Sequence, residues 1–151
     1  MKNVIQLTLE VRKRFHAVLS NTPKEELLKI PEGFNNNIWW NIAHVVVTQQ
    51  LLVYNLSNLP MNVSDALVSK YKKGTTPDGT ATDEEIALVK ELLFSTIEKT
   101  MEDYENGVFE SFNEYTTSAK VTLKSVADSM PFSLFHEGLH MGAITALKKK
   151  I

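Results

Sequence analysis

The chain has 151 residues, 43% of them hydrophobic, which suits one domain with a single sizeable core. Sixteen basic against eighteen acidic residues give a formal net charge of −2, without the basic excess that binding a phosphate backbone requires, so nucleic acid is not expected as a partner. The absence of cysteine excludes disulfides, a thiolate nucleophile and thiolate metal sites, leaving nitrogen and oxygen as the only metal donors.

The start, Met1 to Arg12, meets charge too early for a signal peptide, and no apolar run reaches membrane-spanning length. A soluble cytoplasmic protein without a membrane partner is expected. Leu7, Val11, Phe15 and Val18 recur at helical spacing, with Arg12, Lys13 and Arg14 among the residues between them, and predict an amphipathic helix over 3–20. His16 follows Arg12 and Lys13 by one turn and is read as solvent-facing. Thr22-Pro23-Lys24-Glu25 offers a capping threonine, a proline at the first helical position and a glutamate three residues after the cap, which start a short second helix ended by Pro31 and Gly33.

Asn35, Asn36 and Asn37 are candidate caps for a long helix over 38–57, with Trp39, Ile42, Val46, Val53 and Leu56 turned inward. Residues 58–81 hold turn signals around one short helical stretch, Ser64 to Tyr71, and read as a connection outside the core. Its length lets the following helix run parallel to the one before it, as in bundles with a crossover. Thr82-Asp83-Glu84-Glu85 is a capping box for a third long helix, with Ile86, Val89, Leu93, Ile97, Met101 and Tyr104 at helical period up to Asn106-Gly107.

Residues 107–121 show no sustained period and are expected to be irregular; the aromatic residues Phe109, Phe112 and Tyr115 suit a homodimer contact. A short helix is expected over 123–129. Pro131 fits the first turn of the last helix, whose inward face is read as Phe132, Phe135, Leu139, Ala143 and Leu147. Gly138 and Gly142 are read as allowing a neighbouring helix to approach closely. The final Lys148-Lys149-Lys150 complements the negative end of the helix dipole. No stretch predicts a strand, and four long helices make an all-α bundle.

The histidines carry the chemistry. In Phe135-His136-Glu137-Gly138-Leu139-His140 the two imidazoles stand four residues apart, offset by about 40° and about 6 Å along a helix, so both address one point. A third ligand must come from another helix, and His44, within the apolar stretch Ile42 to Val47, is the candidate. Taken singly, a core histidine or a solvated histidine pair is the plainer reading; two apolar helix faces that each present imidazole favour a metal. The same segment matches the zinc-protease pattern His-Glu-x-x-His, but Ala146 stands where the extended pattern needs histidine. The eleven residues after His140 also leave no room for a later ligand-bearing helix.

Around these ligands, Asn37, Asn41, His44 and Thr48 form a polar stripe that can line a pocket, with Asn37 equally suited to capping. Trp40, one turn before His44, is read as core packing in preference to a pocket wall. Glu137 points about 100° away from His136 and suits orienting a ligand or pairing between helices better than acting as a general base.

The segments Trp39-Trp40-Asn41-Ile42-Ala43-His44 and Pro131-Phe132-Ser133-Leu134-Phe135-His136-Glu137-Gly138-Leu139-His140-Met141-Gly142 resemble the two signature regions of the DinB-like (DinB/YfiT) metalloenzymes. The resemblance extends over essentially the whole chain. It implies an up-down-down-up four-helix bundle whose three histidines, here His44, His136 and His140 by position, bind a divalent metal. Members of that family include thiol-dependent S-transferases, a mycothiol-dependent isomerase and proposed hydrolases. The resemblance therefore implies a metal-dependent transferase or hydrolase acting on a small-molecule substrate. With no cysteine in the chain, a thiol would have to arrive as a low-molecular-weight compound. Zinc or nickel is the expected ion, with iron and manganese also accepting imidazole. A noncatalytic metal-stabilised or ligand-binding bundle is the alternative.

Overall fold

The computed structural model covers residues 1–151 and is mostly helical. In chain order the helices are α1 (Lys2–Asn21), α2 (Lys24–Leu28), α3 (Ile38–Gln50), α4 (Asp65–Tyr71), α5 (Asp83–Glu105) and α6 (Val126–Lys148). A π-helical turn, Leu51–Asn55, continues α3 directly. Helix α3 packs on α6 and α5, and α1 packs on α5 and α6.

Local chemistry fixes most of the boundaries. Asn37 Oδ1 accepts the Trp40 N–H at 2.7 Å and caps α3. Thr82, Ser64 and Ser125 cap α5, α4 and α6 in the same way. Helix α5 stops at Asn106 because Gly107 takes φ 70°, a left-handed conformation that costs glycine nothing. Helix α3 is buried on nearly every side, Thr48 alone being half-buried, as expected for an apolar helix in the centre of a fold. The main core gathers Phe15, Trp39, Val46, Leu93 and Ile144; a smaller cluster joins Ile5, Val53, Tyr54, Ile97, Val126 and Met130.

Several expectations are corrected. The inner stripe of α1 is Ile5, Thr8, Arg12, Phe15 and Leu19, and Leu7 is 54% exposed. This stripe holds a strict alternation of three and four residues, but two of its members are polar, so apolar periodicity picks out a neighbouring face. Helix α6 begins at Val126, capped by Ser125, and Pro131 lies inside it. A proline there removes one N–H···O bond, to the carbonyl of the exposed Ala127, which water can satisfy. The buried face of α6 is Val126, Ser129, Met130, Ser133, Glu137, Ile144 and Leu147, while Phe135 and Leu139 are 52% and 57% exposed. Gly138 and Gly142 are exposed too, with nothing near the space a Cβ would fill, so close packing does not explain them.

Thr22 does not cap α2: Pro23 occupies the N-cap position and the Thr22 hydroxyl is buried without a partner. Residues 58–81 do enter the core, through Leu67, Tyr71 and Ala81. Within 107–123 a small antiparallel hairpin pairs β1 (Tyr115–Thr116) with β2 (Thr122–Leu123), too short to show alternation in the sequence. Phe109 and Phe112 pack on the chain's own smaller cluster, Phe109 edge-on to Tyr54 at 5.3 Å. His16 is half-buried, its ring 5.5 Å from that of Phe94.

Candidate metal centre

The packing of α3 on α6 brings the imidazole of His44 to those of His136 and His140, and one ligand nitrogen from each lies within 4.8 Å of the others. Ring centroids are 5.2 Å apart for His44 and His136, 4.9 Å for His44 and His140, and 4.4 Å for His136 and His140. His44 is buried; the other two are half-buried.

Hydrogen bonds fix which nitrogen of two rings is available. His44 Nδ1 lies 2.6 Å from the Tyr71 carbonyl oxygen, which can only accept, so Nδ1 carries the proton and Nε2 keeps its lone pair. That carbonyl closes the last turn of α4, where helix carbonyls lack intrahelical partners. The Thr48 hydroxyl donates to His44 Nε2 at 3.2 Å, and the Trp40 ring stacks on His44 at 4.4 Å, with 11° between the planes.

For His140 the logic runs through an amide. Asn41 Nδ2 donates to the Asn37 carbonyl at 2.7 Å, which turns Asn41 Oδ1 toward His140 Nδ1, also at 2.7 Å. Oδ1 accepts, so His140 Nδ1 is protonated and Nε2 is free. Asn37 is tied in turn by donating from Nδ2 to the Leu28 carbonyl. A carbonyl or amide oxygen holding the remote ring N–H is the usual support of a ligating histidine.

His140 Nε2 and His136 Nε2 face each other at 3.0 Å. A tetrahedral ion with bonds of about 2.0–2.1 Å separates its nitrogen ligands by about 3.3 Å, and adjacent octahedral positions lie about 2.9 Å apart. The His136–His140 spacing therefore suits two ligands of one ion, and with His44 the three imidazoles form a group that could hold it. Protonation works in the same direction. Burial holds the His44, His136 and His140 imidazoles below their ordinary range, the last two at about 4 and about 3, with the neighbouring rings disfavouring charge further on His136 and His140. Neutral imidazole is the form that ligates.

Glu137 lies between the two histidines in sequence but turns away from them. Its Oε1 accepts from Arg12 Nε at 2.9 Å and Nη2 at 2.7 Å, with both side chains at most 1% exposed. Burial pushes the Glu137 carboxyl up and the Arg12 guanidinium opposes that shift. Glu137 Oε2 and Arg12 Nη1 have no hydrogen-bond partner. Trp40 is core, 6% exposed, with its ring stacked on His44 and its Nε1 donating to Thr75 at 3.0 Å; it does not line the pocket beside the histidines.

Arg12 and Tyr71 are the residues around the site that periodicity alone does not mark. The signal for Arg12 was its place in the three-and-four stripe of α1. For Tyr71 there was none, because its contribution to His44 is a backbone carbonyl. Its side chain fixes that carbonyl's segment: the hydroxyl accepts from Trp39 Nε1 and donates to Glu85 Oε1, each at 2.8 Å.

The histidine group opens on a pocket of about 400 Å³. His44 and His136 are among its lining residues, together with Leu51, Leu52 and Asn55 of the π-helical turn, Phe132, Tyr115 of the β1 hairpin and Lys73. A π turn is a common way to reshape a helix beside a functional site.

No helix is long and apolar enough to cross a membrane. Comparison with curated proteins gives no match. The family model of the DinB superfamily matches residues 7–144, which take in α3, α6 as far as Ile144 and all three histidines. A match over nearly the whole length, on a helical chain that brings His44, His136 and His140 together, makes this protein a member of the DinB superfamily.

Proposed function

We propose that His44, His136 and His140 hold one divalent metal ion, zinc or nickel, and that the protein is a metal-dependent enzyme of the thiol-dependent S-transferase or hydrolase type. The observation that carries this reading is the pair of fixed tautomers: the Tyr71 carbonyl and Asn41 Oδ1 take the Nδ1 protons of His44 and His140 and leave both Nε2 lone pairs for one ion. A bound divalent ion supplies the charge that makes a coordinated water or thiol a nucleophile near neutral pH.

The chain's own residues do the rest. Trp40 covers one face of His44, Thr48 places its hydroxyl oxygen 3.2 Å from Nε2 and would turn its proton away from a bound ion, and the pocket lined by His44 and His136 gives a small molecule access. A thiol substrate would arrive as a small molecule, because the chain contains no cysteine. The resemblance to the DinB-like family supports a four-helix bundle in up-down-down-up order. The packing of α1 on α5 and α6 and of α3 on α5 and α6 is consistent with it.

The test is metal content of the purified protein by mass spectrometry, against His44→Ala. About one equivalent per chain, lost in His44→Ala, is expected; equal content in the two proteins refutes the reading. X-ray absorption then separates an ion that keeps a water or exogenous ligand, as the enzyme reading requires, from one closed by protein ligands.

A further inference from the structure

The pocket beside the histidine group differs sharply from the rest of the surface in its charges. Its inner wall is apolar, from Leu51, Leu52, Leu56 and Phe132, and no carboxylate lines it. Its one permanently charged side chain is Lys73, just beyond α4. Lys73 is exposed and forms neither an ion pair nor a hydrogen bond, whereas Lys70 on the same segment is taken up by Glu85 and Asp78. A volume of about 400 Å³ is the size of a small-molecule site and much smaller than a peptide groove.

We propose that this pocket binds a small organic anion with an apolar body, the body lying on Leu52 and Phe132 and the anionic group meeting Lys73. The inference rests on the reading of the pocket as the substrate's approach to the histidine site and adds the substrate's class to it. An apolar wall rewards burial of a hydrocarbon body. The unpaired ammonium at the rim favours an anionic group over its neutral counterpart. An anion also suits the positive field of an ion held by three neutral imidazoles.

The experiment is a fluorescence titration with two probes of one shape, anilinonaphthalene sulfonate and the neutral N-phenylnaphthylamine. Each is titrated into the protein as purified and again after chelation. Lys73→Gln is expected to weaken the sulfonate about fivefold and leave the neutral probe unchanged, the scale of one solvent-accessible charge pair. Asn55→Trp, which fills the pocket from the exposed side of the π turn, is expected to abolish both signals.

Equal effects of Lys73→Gln on the two probes, binding that survives Asn55→Trp, or no binding of either probe would each overturn the proposal. Metal content of Lys73→Gln should equal that of the unaltered protein. If the protein holds no metal while the charge discrimination stands, the metal reading fails alone. If metal is bound and discrimination is absent, the ligand class fails alone.

Discussion

Replacing Arg12 by Met should be among the most damaging single changes available in this protein. At an effective dielectric near 20, unit charges about 4 Å apart attract by about 4 kcal/mol, and removing each ion from water costs several kcal/mol. The Arg12–Glu137 pair is thus close to break-even against apolar residues, all the more because Arg12 Nη1 and Glu137 Oε2 remain unpartnered. Breaking it from one side is different. Arg12→Met leaves a carboxylate 1% exposed with no counter-charge, at a cost of about 3–5 kcal/mol, a large part of a domain's usual stability of about 5–15 kcal/mol. The double variant Arg12→Met/Glu137→Leu should regain most of that loss, ending within about 1 kcal/mol of the parent or above it. Urea denaturation followed by far-UV circular dichroism measures all four corners of the cycle at neutral pH. A cost below about 1 kcal/mol for Arg12→Met, or a double variant as unstable as the two single changes summed, would refute the reasoning.

The same assay on chelated protein should show acid sensitivity from the histidines. Burial holds His136 at about 4 and His140 at about 3, against about 6.5 in the unfolded chain. Below pH 6.5 the unfolded state therefore binds protons that the folded state refuses, and stability falls as pH drops from about 6.5 toward 4. Going from pH 7 to 5.5 should cost about 2–3 kcal/mol for the two rings together, and His136→Phe/His140→Phe should flatten the dependence; the same slope in that variant speaks against it. Asn41→Ala frees the His140 Nδ1 proton and should weaken metal binding about 10–100-fold in competition with a chromophoric chelator, unchanged affinity counting against the network. Tyr71→Phe strands the buried Trp39 Nε1–H and should cost about 1–3 kcal/mol of stability by urea titration; a loss under 0.5 kcal/mol would show that the indole finds another partner.

The sequence by itself determined where most of the helices lie and which residues can ligate. Caps at Asn37 and Thr82, the stop at Gly107 and the i,i+4 pair His136 and His140 are local features, settled by backbone geometry within a few residues. His44 could be named because an imidazole inside an apolar helix needs a partner. The rotation of α1 and α6 about their axes was not legible. Periodicity rewards apolar stripes, and the faces actually buried carry Arg12, Ser129, Ser133 and Glu137, so Leu7, Phe135 and Leu139 looked like the better inward residues.

Only the tertiary structure could decide that face, because a buried charge is tolerable only once its counter-charge is in place, and for Arg12 that partner lies 125 residues away. The same holds for the tautomers of His44 and His140. One is set by a backbone carbonyl at the end of α4 and the other by an amide on α3. A ring nitrogen's protonation is chosen by whichever acceptor folding brings to it, and no spacing within a single helix encodes that neighbour.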